Sequence, residues 1–336
     1  MKPDAPSTAE EPLVTDDARF SAEEPLKSDD ARFSAEEPLV TDETVEKVHA
    51  PAPRRSVLYM PGANERALEK ARGLDADSLI LDLEDAVAAD AKEEARKRVC
   101  AAVSSGIYGD REVTIRVNGV DTEWHEPDLR AAAKAGPSAV LVPKVNSARE
   151  VHNIERALEL GGAPEHTKIW AMVETPMAML RAEEIASASA RLTVLVMGTN
   201  DLAKELHAEF VPGRAPLLGG LSLCLLAARA TGKVILDGVY NDVKDLEGFE
   251  AECLQGRQFG FDGKTLIHPS QIEPCNRVFA PSEDEVTSAR TIIDAFEQAK
   301  VEGKGVVTVE GRMIENLHVE NALRVLALHE AIKTGH

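Results

Sequence analysis

The chain has 336 residues, 43% of them hydrophobic, and a formal net charge of -20, enough apolar material for one large core or two smaller ones. So acidic a chain offers no general nucleic-acid surface, because binding to phosphates is driven by clustered Lys and Arg. The longest apolar stretch, around Leu221 to Ala230, is too short to span a bilayer, and the N-terminus is acidic rather than basic then apolar.

Residues 1–52 stand apart. Glu11-Pro12-Leu13, Glu24-Pro25-Leu26 and Glu37-Pro38-Leu39 recur every 13 residues, and Asp-Asp-Ala-Arg-Phe-Ser-Ala occurs twice. This tandem duplication holds 14 acidic and 5 basic residues, a net of -9. It has too little apolar surface to offset the entropy of ordering, so a disordered tail is expected, in which Phe20 and Phe33 are the anchors a short linear motif would use. Cys100, Cys224, Cys253 and Cys275 are widely separated and form no paired ligand motif. That spacing argues against a zinc site or disulfide framework and suits the reduced cytoplasm.

From Arg54 onward, short apolar runs alternate with helix-compatible stretches, the pattern of repeated strand–helix units around a parallel sheet. The pattern predicts eight strands, at 56–60, 78–83, 113–117, 139–143, 169–173, 192–197, 234–239 and 264–267. Helices are expected between them, among them 86–103 and 148–160, and an amphipathic helix over 316–332. Eight such pairs predict a TIM (β/α)8 barrel over 53–280, followed by a helical extension over 281–336.

Barrel active sites collect at the C-terminal strand ends, and here those ends are polar: Glu84 and Asp85, Arg116 and Asn118, Lys144, Glu174, Asn200 and Asp201, Asp237 and Asn241, then His268. Glu174 and Asp201 close two consecutive strand runs, so both carboxylates meet at one open end of the sheet. Two hard oxygen donors with few others suit Mg²⁺, which keeps waters or substrate oxygens in its remaining positions. Glu84 and Asp85 either serve the same site or open a helix, where the macrodipole favours acids. An open doubly wound sheet would need a Gly-x-Gly-x-x-Gly turn, which is absent. Gly263-Lys264-Thr265 is not a P-loop, because Gln258 stands where its first glycine belongs. Neither a Gly-x-Ser-x-Gly elbow nor a His-x-x-x-His pair occurs.

Six motifs together resemble the citrate lyase beta-subunit-like family of the HpcH/HpaI aldolase superfamily, which includes malyl-CoA lyases. They are Arg55-Ser56-Val57-Leu58-Tyr59-Met60-Pro61-Gly62, Leu81-Asp82-Leu83-Glu84-Asp85-Ala86-Val87, Ile115-Arg116-Val117-Asn118-Gly119, Val142-Pro143-Lys144, Val173-Glu174-Thr175 and Ile267-His268-Pro269-Ser270-Gln271. The runs Met197 to Leu206 and Asp237 to Asn241, with the segment ending at His318, look most like the (3S)-malyl-CoA thioesterase branch.

That resemblance implies Mg²⁺, or Mn²⁺ in its place, held by Glu174 and Asp201 and chelated by a hydroxyacyl-CoA substrate. It implies that Arg116 acts against the substrate as a fork for carboxylate and a stabiliser of developing oxyanion charge. Glu84 and Asp85 are expected to bind the metal's waters or orient Arg116. Coenzyme A is expected on Tyr59, stacked against adenine, on Arg66 and Lys70, which share one helix face, and on Pro143, Lys144, His268 and Pro269. His268 taken alone reads as a structural histidine.

Lyase-like members carry an aspartate from a neighbouring subunit where this chain has Glu315. Moving that carboxylate outward by one methylene disfavours carbon–carbon chemistry, where alignment counts, and favours activation of water. The expected reaction is hydrolysis of (3S)-malyl-CoA in a homotrimer or homohexamer, with Glu315 as general base. Reversible cleavage of malyl-CoA, β-methylmalyl-CoA or citryl-CoA is the alternative, and a non-catalytic metabolite-binding homologue is the reading from another class.

Overall fold

The computed structural model describes residues 52–302, 307–309 and 311–334. All the described residues belong to one compact unit. The expected tail therefore lies, except for Ala52, outside the described residues.

Eight parallel strands close into a barrel in sequence order: β1 (Ser56–Pro61), β2 (Ser78–Asp82), β3 (Glu112–Arg116), β4 (Ala139–Val142), β5 (Lys168–Val173), β6 (Leu192–Met197), β7 (Val234–Asp237) and β8 (Gly263–Leu266). Each strand alternates its side chains between two apolar environments. Val57, Ile80, Leu141, Trp170, Val194 and Leu236 fill the interior, while Leu58, Leu79, Leu81, Ile115 and Leu195 pack outward with residues of the surrounding helices. Burial on both faces is why the runs read as continuous apolar segments.

Strand β7 is shorter than expected. It stops at Asp237, whose Oδ1 accepts the Gly238 N–H at 2.8 Å, and the chain turns there at a glycine because a Cβ on Gly238 would strike Thr199. Between β4 and β5 the helix Ala148–Leu160 matches expectation, with Ser147 capping its Glu150 N–H.

The helix after β2 starts later than its sequence pattern implies, at Lys92, and ends at Ser104. Side chains take the backbone groups that a helix would have paired. Asp82 accepts the N–H groups of Glu84 and Ala86 at 2.8 and 3.1 Å, and Lys92 Nζ donates to the carbonyls of Leu83 and Glu84 at 2.8 and 2.7 Å. Residues 83–88 are thereby held as a turn over the barrel mouth, so Glu84 and Asp85 do not open a helix.

After the last barrel helix, Ile272–Phe279, the helices Glu283–Val301 and Asn316–Thr334 pack on each other. Between them runs an antiparallel hairpin of β9 (Val307–Val309) and β10 (Arg312–Ile314). Phe296, Ala299 and Val319 form their small core. The final helix lies toward the opposite rim from the polar strand ends: Arg324, Val325 and Leu328 share a cavity with Arg54, Val234 and Asp262, which begin or precede strands.

Candidate active site

Glu174 follows β5 directly, and Asp201 lies in the first turn of the helix Thr199–Glu205 after β6. Both line one cavity of about 310 Å³ at the C-terminal end of the barrel, together with Tyr59, Asp82, Asp85, Arg116, Met172 and Thr199. The sequence-predicted carboxylate pair and Arg116 are thus brought together.

Glu174 is 2% exposed. Its Oε1 accepts the backbone N–H of Lys144 at 2.7 Å, and Lys144 presents that N–H from a left-handed conformation, φ 54°, which costs a side-chain-bearing residue strain. Lys144 Nζ lies 3.9 Å from Asp201 Oδ1. Gly198 passes so close behind Glu174 that a Cβ there would collide with the carboxyl group. Gly198→Ala is therefore expected to displace Glu174 and weaken Mg²⁺ binding at least tenfold. Calorimetric titration with Mg²⁺ checks this, alongside a circular dichroism spectrum confirming the fold.

Arg116, 7% exposed, ends β3 beside Asp82, its register partner on β2. Its Nε and Nη2 donate to Asp82 Oδ1 and Oδ2, both at 2.7 Å. Nη1 lies 2.8 Å from Glu84 Oε2 and 3.5 Å from Asp85 Oδ2. The guanidinium carbon sits 4.8 Å from the centroid of the Tyr59 ring, and the Tyr59 hydroxyl reaches Met172 Sδ at 3.8 Å. Tyr59 is therefore inside the mouth with one face given to Arg116, not on an outer loop awaiting adenine.

Asp82 was not singled out by its position in the sequence, although it makes more contacts with Arg116 than either Glu84 or Asp85. Its signal was the pairing of β2 with β3, which sets an acid and a base at the same level of the barrel interior.

Five carboxylates, those of Asp82, Glu84, Asp85, Glu174 and Asp201, face two cations, Arg116 and Lys144. Burial, with the charges of Glu84 and Asp201 added, pushes the Glu174 carboxyl up to about 8. Glu84 is lifted to about 7, chiefly by burial, in spite of Arg116. Burial also opposes ionisation of Asp82, but Arg116 and the backbone N–H groups hold that carboxyl below its ordinary value.

The site thus carries negative charge that the protein does not compensate, before any anionic substrate arrives. Among the described residues no group of three or more His, Cys, Asp or Glu is disposed to hold a metal. A pair of hard carboxylates with open space around it instead fits a cation that retains water and substrate oxygens, as Mg²⁺ does.

Of the remaining residues predicted for coenzyme A, Lys144 borders this cavity through Glu174 and Asp201, and the others do not line it. Arg66 and Lys70 are exposed on the helix Glu65–Ala71 after β1. Pro143 is buried beneath half-exposed Lys144. His268 is exposed, and its Nδ1 caps the turn Pro269–Gln271 by accepting the Ser270 N–H at 3.2 Å, the structural role its sequence context allowed.

Glu315 is exposed at the start of the last helix, its N–H donated to His318 Nδ1 at 3.0 Å. It does not line the mouth cavity of its own barrel.

Two of the polar strand ends are structural. Asp237 is fully buried, bound to Arg214 at 2.7 Å and Lys264 at 2.9 Å, so it faces the helices and not the mouth. Asn118 is 2% exposed and donates to Leu83 O and Asp128 Oδ2. Asn200 and Asn241 exchange side-chain hydrogen bonds at 3.1 and 2.8 Å across the rim.

Comparison with known proteins agrees with this geometry. Residues 55–269 match the HpcH/HpaI aldolase/citrate lyase model, and residues 222–331 match that of C-C bond lyases of the TIM-barrel fold. The chain is 52% identical over 284 residues to (3S)-malyl-CoA thioesterase of Cereibacter sphaeroides, covering 84% of this chain and 97% of that protein. It is 38% identical to citrate lyase subunit beta of Escherichia coli, over 82% of this chain and 93% of that one. The crystal structure of protein CitE from Mycobacterium tuberculosis, in complex with magnesium, acetoacetate and coenzyme A, superposes with a TM-score of 0.67 at 29% identity. That match covers 84% of this chain and 99% of the other. No helix among the described residues is long and apolar enough to cross a membrane. The closed barrel, its acidic mouth and these matches all lead to one assignment: the chain belongs to the HpcH/HpaI aldolase/citrate lyase family.

Proposed function

We propose that this chain hydrolyses the thioester of (3S)-malyl-CoA to (S)-malate and coenzyme A, using Mg²⁺, for which Mn²⁺ substitutes. The carrying observation is the charge-deficient pair Glu174 and Asp201 sharing one cavity with Arg116, in a chain 52% identical to a (3S)-malyl-CoA thioesterase. Glu174 and Asp201 would hold the metal, which would supply positive charge to fix and polarise the hydroxy acid.

The protein's own groups do the rest. Nη1 of Arg116 meets the acyl oxygen as it gains charge when water adds to the thioester carbon. A carboxylate takes the proton of that water. The carbon–sulfur bond then breaks, and the sulfur leaves with the proton returned to it, giving the free thiol. We assign the proton transfer to Glu315 of a second copy, because Glu315 is exposed and stands outside the cavity of its own chain.

Arg66 and Lys70 offer exposed cations for the phosphates of coenzyme A, and Pro143, Lys144, His268 and Pro269 border the thioester arm. Tyr59 walls the acyl end under Arg116. The proposed assembly is a homotrimer or homohexamer, in which a neighbouring copy would complete each site. The four unpaired cysteines suit a reducing compartment, and on that ground the proposed location is the cytoplasm.

The 38% identity to a citrate lyase subunit favours a second reading, reversible carbon–carbon cleavage. Product analysis separates the two. Purified protein with malyl-CoA and Mg²⁺ is expected to release malate and thiol in equal amounts, and EDTA to abolish turnover. Equimolar acetyl-CoA and glyoxylate would identify a lyase, and no turnover of either kind a metabolite-binding homologue.

A further inference from the structure

We infer that Asp82 is the positioning residue of the site, and that it makes Arg116 a fixed, charge-compensated donor presenting only its end-on edge. The inference rests on the reading of Arg116 as the group facing the acyl oxygen.

The geometry runs as follows. Asp82 is 1% exposed and sits opposite Arg116 in the β2–β3 register. Its two oxygens take Nε and Nη2 at 2.7 Å each, so the side-on edge of the guanidinium, which elsewhere grips a substrate carboxylate, is closed. The Tyr59 ring covers one face. What remains is the end-on edge, the second N–H of Nη2 and the two of Nη1, with Nη1 touched by Glu84 at 2.8 Å, by Asp85 at 3.5 Å and by Met172 Sδ at 3.8 Å. Asp82 itself is tethered through the N–H groups of Glu84 and Ala86, so the acid cannot swing away to release the fork.

Two consequences follow. A guanidinium already paired with a buried carboxylate contributes an oriented N–H dipole more than a free positive charge. Such a group suits a single oxygen whose charge grows during reaction, and it needs no reorganisation when that happens. Side-on clamping of a substrate carboxylate is closed to it. The carboxylate fork expected at Arg116 is thereby confined to the end-on edge, the side-on edge being taken by Asp82.

A double-mutant cycle with Asp82→Asn and Arg116→Gln tests this. If Asp82 acts only through Arg116, Arg116→Gln lowers kcat at least a hundredfold with KM changed less than about threefold, and adding Asp82→Asn to it costs no further activity. The double variant removes both buried charges together, so it keeps its fold better than either single change. Even where Asp82→Asn alone fails to fold, the comparison of Arg116→Gln with the double variant decides. Losses that multiply, or a rise in KM as the main effect, would overturn the inference.

A second readout does not depend on the substrate. In ¹⁵N-edited NMR of the unliganded protein, the Arg116 Nε–H, assigned by its loss in Arg116→Lys, is expected to exchange slowly, and to exchange rapidly in Asp82→Asn. If wild type fails to hydrolyse malyl-CoA while this resonance behaves as stated, the functional reading falls and the positioning role stands. A fast-exchanging Nε–H in wild type would sink the positioning role by itself.

Discussion

Glu174→Gln is expected to lower kcat/KM for malyl-CoA by about a thousandfold, equivalent to roughly 4 kcal/mol of transition-state stabilisation. The amide keeps the shape of the carboxyl but removes one of the two formal charges proposed to hold the cation. Its effect on stability runs the other way. The folded protein raises the Glu174 pKa from an ordinary carboxylate value to about 8, so the native state binds this proton more tightly than the unfolded chain does. Stability from this group is fully present below the unfolded pKa and is lost as pH rises toward 8. Glu84, raised to about 7, acts with the same sign over the lower part of that window.

Metal-free wild type is thus expected to melt at progressively lower temperature between pH 5 and pH 8.5, in the range set by those two groups. Mg²⁺ is expected to restore most of the loss, because it compensates the charge that burial opposes. Glu174→Gln, with no charge to bury, is expected to melt higher than metal-free wild type at pH 8 and to gain almost nothing from Mg²⁺. Thermal melts at several pH values, with EDTA and with millimolar Mg²⁺, check all three statements. An equal Mg²⁺ gain in wild type and Glu174→Gln would remove Glu174 from the metal site, whatever happened to turnover.

How much of this was legible beforehand differs from residue to residue. The strands were readable because a barrel strand buried on both faces leaves an unbroken apolar run. Glu174 and Asp201 were readable because they end such runs. Asp82 was not, because it stands between Leu81 and Leu83 inside a run, and its meaning depends on Arg116 lying opposite it across the sheet.

Asp237 was misread for a related reason. It follows Leu236, which points into the barrel, so alternation turns it outward toward Lys264 of β8 and Arg214. Counting inward and outward positions along each strand separates the two kinds of polar end, and a list of strand ends alone does not. The delayed helix after β2 belongs to the same class, since tertiary partners Asp82 and Lys92 took its backbone groups. Local propensity carries no record of that competition.

A 1:1 mixture of Glu315→Ala and Arg116→Gln chains, each nearly inactive by itself, is expected to regain about a quarter of wild-type turnover after dissociation and reassembly. The fraction comes from random pairing in a symmetric ring: half the barrels carry an intact Arg116, and half of those meet an intact Glu315 from their neighbour. The structural motive is the position of Glu315. It is exposed beside the β9–β10 hairpin and absent from the cavity of its own barrel, while the helix it begins packs toward the opposite rim. On the proposed reading, a carboxylate so placed would meet a thioester in another copy's mouth. Had Glu315 acted within its own chain, every site in the mixture would lack one group or the other, and reassembly would recover nothing. Recovery is therefore to be measured against the same mixture left undissociated, with light scattering confirming that the chains have exchanged. A mixture that exchanges fully and stays inactive would return the search for the base to the mouth itself, where Glu84, lifted to about 7, is the carboxyl best matched to proton transfer near neutral pH.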